Sequence, residues 1–328
     1  MLKQLQSDEA ATALGLVLRH LSVSGYRFTT PTPLTHQRVL AHRGPQLAAT
    51  LSDVFGWNMP FKIATCDGMT RELLAAMRGA GVLQTREEAL QSGVRVASVG
   101  DDLFVHSTYP TTQDDAVFFG PDTYRFSRFI QQGAIDVQST GGQPIRLLDV
   151  GCGSGAGGII AARTLCHLGP LEVNMNDLNP LALRYTAINA NFAGIAIKPA
   201  LGNALRAVKG NFDLIISNPP YLDDSAQRAY RHGGARLGRA LSVRIGEEAL
   251  ARLAPGGRLL LYTGVAIVKG VDGFLADMQP VLNDAQFEWS YAEIDPDVFS
   301  EELEQPIYKN ADRIAVVGLT VTRKAGVL

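Results

Sequence analysis

Residues 145–157 read Ile145-Arg146-Leu147-Leu148-Asp149-Val150-Gly151-Cys152-Gly153-Ser154-Gly155-Ala156-Gly157. A largely apolar run closes on Asp149-Val150, and glycine then fills every second position from 151 to 157. The run predicts a buried strand. The glycines predict a sharp turn into a helix, because without a Cβ the backbone bends tightly and lets a ligand approach. The helix that follows offers its free N–H groups to that ligand. A second apolar run, 171–175, leads to Asp177, 22 residues after Gly155. An acid at that place accepts hydrogen bonds from ribose hydroxyls. A bare tight turn would give Asp149 and Asp177 no reason to flank it, so the unit reads as a nucleoside site.

Outward from this unit the chain alternates strand and helix, which implies a parallel sheet. Strands are predicted at 145–150, 171–175, 195–199, 212–217 and 257–263, with helices at 155–168, 180–192, 240–253 and 271–282. Segments 287–294 and 314–322 read as a closing hairpin around a long insert. Before residue 115 helical patterns dominate, at 8–21, 37–55 and 69–77. Ser7 or Asp8 could cap the first of them. Residues 94–99 and 103–106 alternate around Gly100-Asp101-Asp102, a hairpin signal. The expected organisation is an N-terminal helical, winged-helix-like domain over 1–115, with a possible role in substrate recognition, and an α/β domain over 116–328. The turn-rich Ser139-Thr140-Gly141-Gly142 lies in the bridge before the first strand of that sheet.

The strand 212–217 ends in Asn218-Pro219-Pro220-Tyr221. Ligands of open α/β sheets bind at the carboxyl ends of the strands. Two prolines have no N–H for a ladder, so they leave a stiff loop with exposed carbonyls. An amide or aromatic amine has its nitrogen lone pair delocalised and is a poor nucleophile. The Asn218 side-chain oxygen and the Pro219 carbonyl can accept its two N–H hydrogens and fix it, while Tyr221 can stack on its plane. The bland alternative is a proline-rich turn, and chance explains it poorly at this place after a nucleoside loop.

The nucleoside turn alone admits two cofactors, a dinucleotide or S-adenosylmethionine. Its spacing, D-x-G-x-G-x-G, resembles motif I of the class I S-adenosylmethionine-dependent methyltransferases. Asn218 to Tyr221 resembles the signature of their glutamine-N5 and adenine-N6 members. The resemblance covers about residues 116 to 325 and implies a Rossmann-like sheet, mostly parallel with an antiparallel last strand. It implies S-adenosylmethionine as cofactor, with Gly151, Gly153 and Gly155 at its methionine part and Asp149 orienting the loop and the cofactor's amino group. Asp177 holds the ribose, with Leu178 beside it. Asn203 falls where the family often has an acid touching the adenine amino group; asparagine can still hydrogen-bond there. Phe119-Gly120-Pro121-Asp122-Thr123 is similar to the segment that lies over the cofactor in the glutamine methyltransferases, which adds Thr123 to the set. Asn218, Pro219, Pro220 and Tyr221 are the implied catalytic residues.

The substrate stays open between a glutamine-bearing protein, adenine in RNA or DNA, and a small molecule. Lys+Arg is 30 and Asp+Glu 32, a net charge of −2 that argues against an electrostatic grip on nucleic acid over the whole surface. That balance and the Pro-Asp-Thr segment favour glutamine. Arg228, Arg231, Arg236, Arg239 and Arg244 surround a glycine-rich stretch after Tyr221. They read equally as a substrate-gripping loop and as a solvated helix start. A nicotinamide dehydrogenase would give Asn-Pro-Pro-Tyr no role, and a non-catalytic nucleic-acid binder would not need these motifs intact. Cys66, Cys152 and Cys166 have no paired spacing, so neither a disulfide framework nor a metal site is expected. With no signal-peptide layout and no apolar run of about 18 residues, the expectation is a cytoplasmic protein with no membrane span.

Overall fold

Strand β5 (Ile145–Val150) is buried along nearly its whole length, as a strand covered on both faces must be. The computed structural model describes residues 7–326 except 112, 139–141, 225–227 and 229; part of the turn predicted at 139–142 therefore lies outside the described residues. In this structure β5 sits inside an eight-stranded sheet with the path β11-β12-β9-β8-β5-β6-β7, and β10 pairs with β9. The other strands are β6 (Leu171–Asp177), β7 (Ile197–Leu201), β8 (Phe212–Ser217), β9 (Leu253–Val268), β10 (Val271–Asp272), β11 (Phe287–Asp295) and β12 (Arg313–Arg323). The pairs β5/β6, β6/β7, β5/β8 and β8/β9 are parallel. The last strand, β12, runs antiparallel to both β9 and β11. The result is the Rossmann-like α/β sheet expected from the sequence. After β7 the chain returns to the far side of β5 to make β8, so the strand order reverses there. Such a switch point opens a crevice at the carboxyl ends. Val150 lies in register with Ser217, which puts the glycine turn and Asn218 at the same end of adjacent strands.

The described chain forms two compact units. The C-terminal one comprises 125–152, 157–178 and 197–328. Its core includes Leu148, Phe212, Ile215, Leu259, Leu261 and Val317, all fully buried, with Phe274 and Met278 from helix α8 (Gly273–Leu282). Helix α7 (Ala240–Leu250) covers the same side.

The N-terminal unit comprises 1–124, 153–156 and 179–196. It contains α1 (Asp8–Val23), α2 (Pro33–Arg43), α3 (Arg71–Gly79), the hairpin of β1 (Leu83–Arg86) with β2 (Ala89–Ser92), and the hairpin of β3 (Arg95–Val99) with β4 (Asp102–His106). Ser7 caps α1 by accepting from the Ala10 N–H, as expected. Helix α6 (Pro180–Ala193) also belongs here: Leu181, Ala182, Tyr185 and Ile188 join the core of Leu14, Leu18, Phe55, Phe61 and Leu73. Helix α5 (Ala156–Leu165) starts in the glycine turn, and helix α4 (Pro121–Gly133) runs from one unit into the other.

The predicted helix 37–55 is wrong. It breaks at Gly44, which takes φ 64° ahead of Pro45, and helical geometry returns only as a single wide turn over Ser52–Gly56. The strand predicted at 195–199 starts at Ile197, because Gly194 caps α6 in the left-handed region and Ile195 donates back to Ala190. The helix predicted from 271 starts at Gly273, capped by Asp272, since Val271 and Asp272 pair with β9 instead.

Candidate active site

At the end of β5 the Gly151 and Cys152 N–H groups both donate to the Asn176 carbonyl at 3.0 Å. Gly151 and Gly153 take φ 70° and 56°, and a Cβ on either would meet nothing within 4 Å. The left-handed backbone favours glycine, and the open space beyond it leaves room for a ligand. Gly155 is different. Its Cβ would press on Thr186 at 3.0 Å, so its bareness serves helix packing. Asp149 is almost wholly buried and accepts from the Gly158 N–H at 2.7 Å, in the first turn of α5. Burial pushes its carboxyl up to about 7, against the pull of that hydrogen bond, and the Asp177 charge adds to the rise. Gly157 and Gly158 leave room for it; a Cβ on either would come within 3.0 or 3.2 Å of Asp149 Oδ2.

Asp177 ends β6, and its carbonyl accepts from Gly202 at 3.0 Å. Leu178, next in the chain, is 60% exposed. Asn203 Oδ1 accepts from Arg244 Nη2 at 2.6 Å. Arginine is only a donor, so this contact fixes the amide with Nδ2 as the group on offer. Asn176 was not singled out by sequence. It is buried, its Nδ2 donates to the Gly202 and Ala204 carbonyls at 3.1 and 2.7 Å, and its Oδ1 has no hydrogen-bond partner.

Asn218 to Tyr221 leave β8 as a loop braced from behind. A Cβ on Gly238 would lie 2.1 Å from the Tyr221 carbonyl, and one on Gly233 would lie 2.7 Å from the Pro220 carbonyl. Backbone therefore packs on backbone. Leu222 donates to the Arg231 carbonyl at 2.9 Å and accepts from Gly233 at 2.8 Å. The Tyr221 ring lies on Gly264 of β9, where a Cβ would come within 2.2 Å of it. Phe299, 6.1 Å away centroid to centroid, stands beyond. Tyr221 is consequently buried.

Residues 138–266 match the family described as methyltransferase small domain. The C-terminal unit is a class I S-adenosylmethionine-dependent methyltransferase domain. The chain is 39% identical over 127 residues to a release factor glutamine methyltransferase of Deinococcus radiodurans, covering 35% of this chain and 44% of that protein. It is 37% identical over 116 residues to a ribosomal RNA small subunit methyltransferase C of Chromohalobacter salexigens, covering 35% and 30%. A ribosomal protein L11 methyltransferase of Citrifermentans bemidjiense is 32% identical over 155 residues, covering 46% and 43%. The chain thus spans half or less of the length of these curated relatives.

The cofactor of the methyltransferase domain is S-adenosylmethionine, and the residues present fit it. The open space beyond Gly151 and Gly153, the exposed Leu178 and the unpartnered Asn176 Oδ1 all lie along one turn and its neighbouring strand. Thr123 belongs to the first turn of α4, in the N-terminal unit, where its N–H donates to the Gly120 carbonyl at 3.0 Å. No group of side chains able to hold a metal ion occurs among the described residues.

The arginine-rich stretch does not hold its cations out for a substrate. Arg228 grips Asp224 at 2.5 and 2.9 Å, Arg231 pairs with Glu302, and Arg236 and Arg239 share Asp277 at 3.2 and 2.8 Å. Arg244 pairs with Asn203 and Glu248. Tyr308 accepts from the Asp223 N–H at 2.7 Å, so the insert 296–312 is tied to the loop after Tyr221. Arg313 holds Glu293 at 2.8 Å. Cys152 is buried in its turn, as a packing residue would be, and Phe61 is core. Gly233 and Gly238 were the sequence signal for the brace, since only glycine permits such a close approach of two backbones.

Proposed function

We propose that the protein transfers a methyl group from S-adenosylmethionine to a planar nitrogen, and that the target is the side-chain amide of glutamine in a protein. The observation that carries this is the Asn218-to-Tyr221 loop, braced at Pro220 and Tyr221, at the same sheet end as the glycine turn and one strand away. When bound, the cofactor supplies an electrophilic methyl on a sulfonium. Gly151, Gly153 and Gly155 form the turn that would receive it, supported by Asp149. Asp177, with Leu178 beside it, would hold the ribose hydroxyls, and Asn203 would offer its Nδ2 to the adenine. Asn218 Oδ1 and the Pro219 carbonyl accept the two N–H hydrogens of the target amide. They hold its nitrogen in one orientation, and Pro220 stiffens the carbonyl's position. Tyr221 sets the tilt of the amide plane at the loop's edge. Alignment of this kind supplies up to roughly 7–11 kcal/mol of a barrier. No base is needed beforehand, because the nitrogen becomes acidic only once alkylated and then loses its proton to water.

The relatives named as release factor glutamine methyltransferases support the glutamine reading. So does the pairing of the arginines with Asp224, Glu302, Asp277 and Glu248, which offsets most of their charge. The relatives named as ribosomal RNA methyltransferases favour a second reading, an exocyclic amine of an RNA base. Residues 1–115 would recognise the substrate in either case, and the reaction would take place in the cytoplasm.

Tritiated S-adenosylmethionine, incubated with lysate from a strain lacking the gene, tests this. Wild type is expected to label material that survives nuclease and vanishes with protease, and Asn218→Ala to lower that labelling by about 100-fold. Label sensitive to nuclease alone transfers the assignment to RNA or DNA. Label in neither fraction defeats both readings.

A further inference from the structure

The N-terminal unit contains a polar pocket that no residue of the glycine turn or of the Asn-Pro-Pro-Tyr loop lines. Strands β3 and β4 set Arg95 directly opposite His106, so the two side chains share a face of the hairpin. Thr30, His36 from α2, Ser107 and Thr111 complete the polar lining of a small cavity walled by Tyr109 and Phe119. Thr30, His36, Arg95 and His106 are 2, 1, 5 and 1% exposed. Buried polar atoms are nearly always partnered. Here Thr30 Oγ1, both ring nitrogens of His36, Arg95 Nη2 and His106 Nε2 have no hydrogen-bond partner.

The chemistry of these atoms defines what would satisfy them. Arg95 Nε donates to the Gly56 carbonyl at 2.8 Å. Burial lowers the guanidinium's pKa, to about 10, which still leaves it cationic at neutral pH. Among the described residues no carboxylate lines the cavity, and a buried charge without a counter-charge is costly. His106 Nδ1 lies 3.0 Å from the Ser107 carbonyl. A carbonyl can only accept, so Nδ1 carries the proton and Nε2 offers a lone pair. Burial, reinforced by the Arg95 charge, keeps both His36 and His106 neutral. The missing group must therefore carry negative charge for Arg95 and a proton donor for His106. Carboxylate and sulfate offer acceptors only. A phosphate with a free O–H offers both.

We propose that this pocket binds a phosphate group bearing a free O–H, as free phosphate or as the end of a phosphate monoester. The stacked Phe119 on His106, with centroids 5.1 Å apart, and Tyr109 on His36, at 4.5 Å, hold the two imidazoles in place around it.

Calorimetric titration of the full chain at pH 7 is expected to give one site for inorganic phosphate, with sulfate at least about tenfold weaker, the cost of one missing hydrogen bond to a buried acceptor. The His106 Nε2 resonance in ¹⁵N spectra is expected to move with phosphate and not with sulfate. Methyl phosphate separates the two sources: binding at least as tight as phosphate assigns a monoester end, and weaker binding assigns the free ion. His106→Phe is expected to weaken phosphate by about tenfold and abolish its advantage over sulfate. Arg95 is deep in the unit and its replacement can unfold it, so the contrast between the two anions on the wild type is the deciding measurement. Equal binding of phosphate and sulfate overturns the proposal. Binding of neither, which leaves the cavity to ordered water, overturns it as well.

Discussion

Gly264 illustrates how one missing carbon can set a reaction geometry. The Tyr221 ring occupies the place of its absent Cβ, 2.2 Å from where that atom would stand. Gly264→Ala is expected to push the ring outward, lower the methyl-transfer rate at least about tenfold and cost about 1–3 kcal/mol of stability. Cofactor affinity by calorimetry should change less than twofold, since the residue lies on β9 beneath Tyr221 and not in the glycine turn. Asp149 gives a second residue-level expectation. Its carboxyl stays protonated up to about pH 7 in the fold and ionises near 4 in the unfolded chain. Between those values the unfolded chain binds fewer protons, so this group's contribution to stability falls as pH rises from 4 to 7 and is level above. Asp149→Asn keeps an acceptor for the Gly158 N–H and loses the titration. Its melting temperature should consequently decline less than the wild type's across that window in a pH series of thermal scans. Equal slopes would show the carboxyl ionised throughout. Asp149, Asp177 and Asn218 were legible in the sequence because their spacing is local. Gly264 was not: it sits mid-strand, and its reason is a ring 43 residues earlier in the chain.

Among the elements, the sheet was legible wherever apolar runs are bounded by turn residues. Strand β8 matches its prediction to the residue, and the β11–β12 hairpin was seen across its insert. Periodicity misled where it continued through a break, as at Gly44-Pro45 inside the supposed helix 37–55. It was mute on the β1–β2 hairpin, whose four-residue strands alternate too briefly. Partners distant in sequence were also invisible. The arginines after Tyr221 read as free until Asp277 and Glu302 arrived from other elements. Two such ties join the insert after β11 to the loop after Tyr221, Arg231 to Glu302 and the Asp223 N–H to Tyr308. Cutting both, in Glu302→Gln with Tyr308→Phe, should raise amide exchange at Asp223 and over 300–308 by tenfold or more in deuterium-exchange spectra. Exchange unchanged from wild type would mean that packing alone fixes the insert.

For the whole molecule the near balance of charge carries a kinetic expectation. With a net charge of −2 and its clustered arginines paired internally, the protein should lose little from added salt when acting on a protein. A plot of log kcat/KM against log salt concentration is expected to be shallower than about −1; an RNA substrate held by several phosphates would give a several-fold steeper line. The division into two units has a different kind of consequence. The chain passes from one to the other at 124, 152, 156, 178 and 196, so no single cut separates them and neither is a bead on a linker. A gene exchange that replaced the first 124 codons would strand α6, whose apolar side chains belong to the core those codons encode. An exchange of the N-terminal segment would therefore have to carry matching changes in α6, a helix that the methyltransferase segment itself encodes.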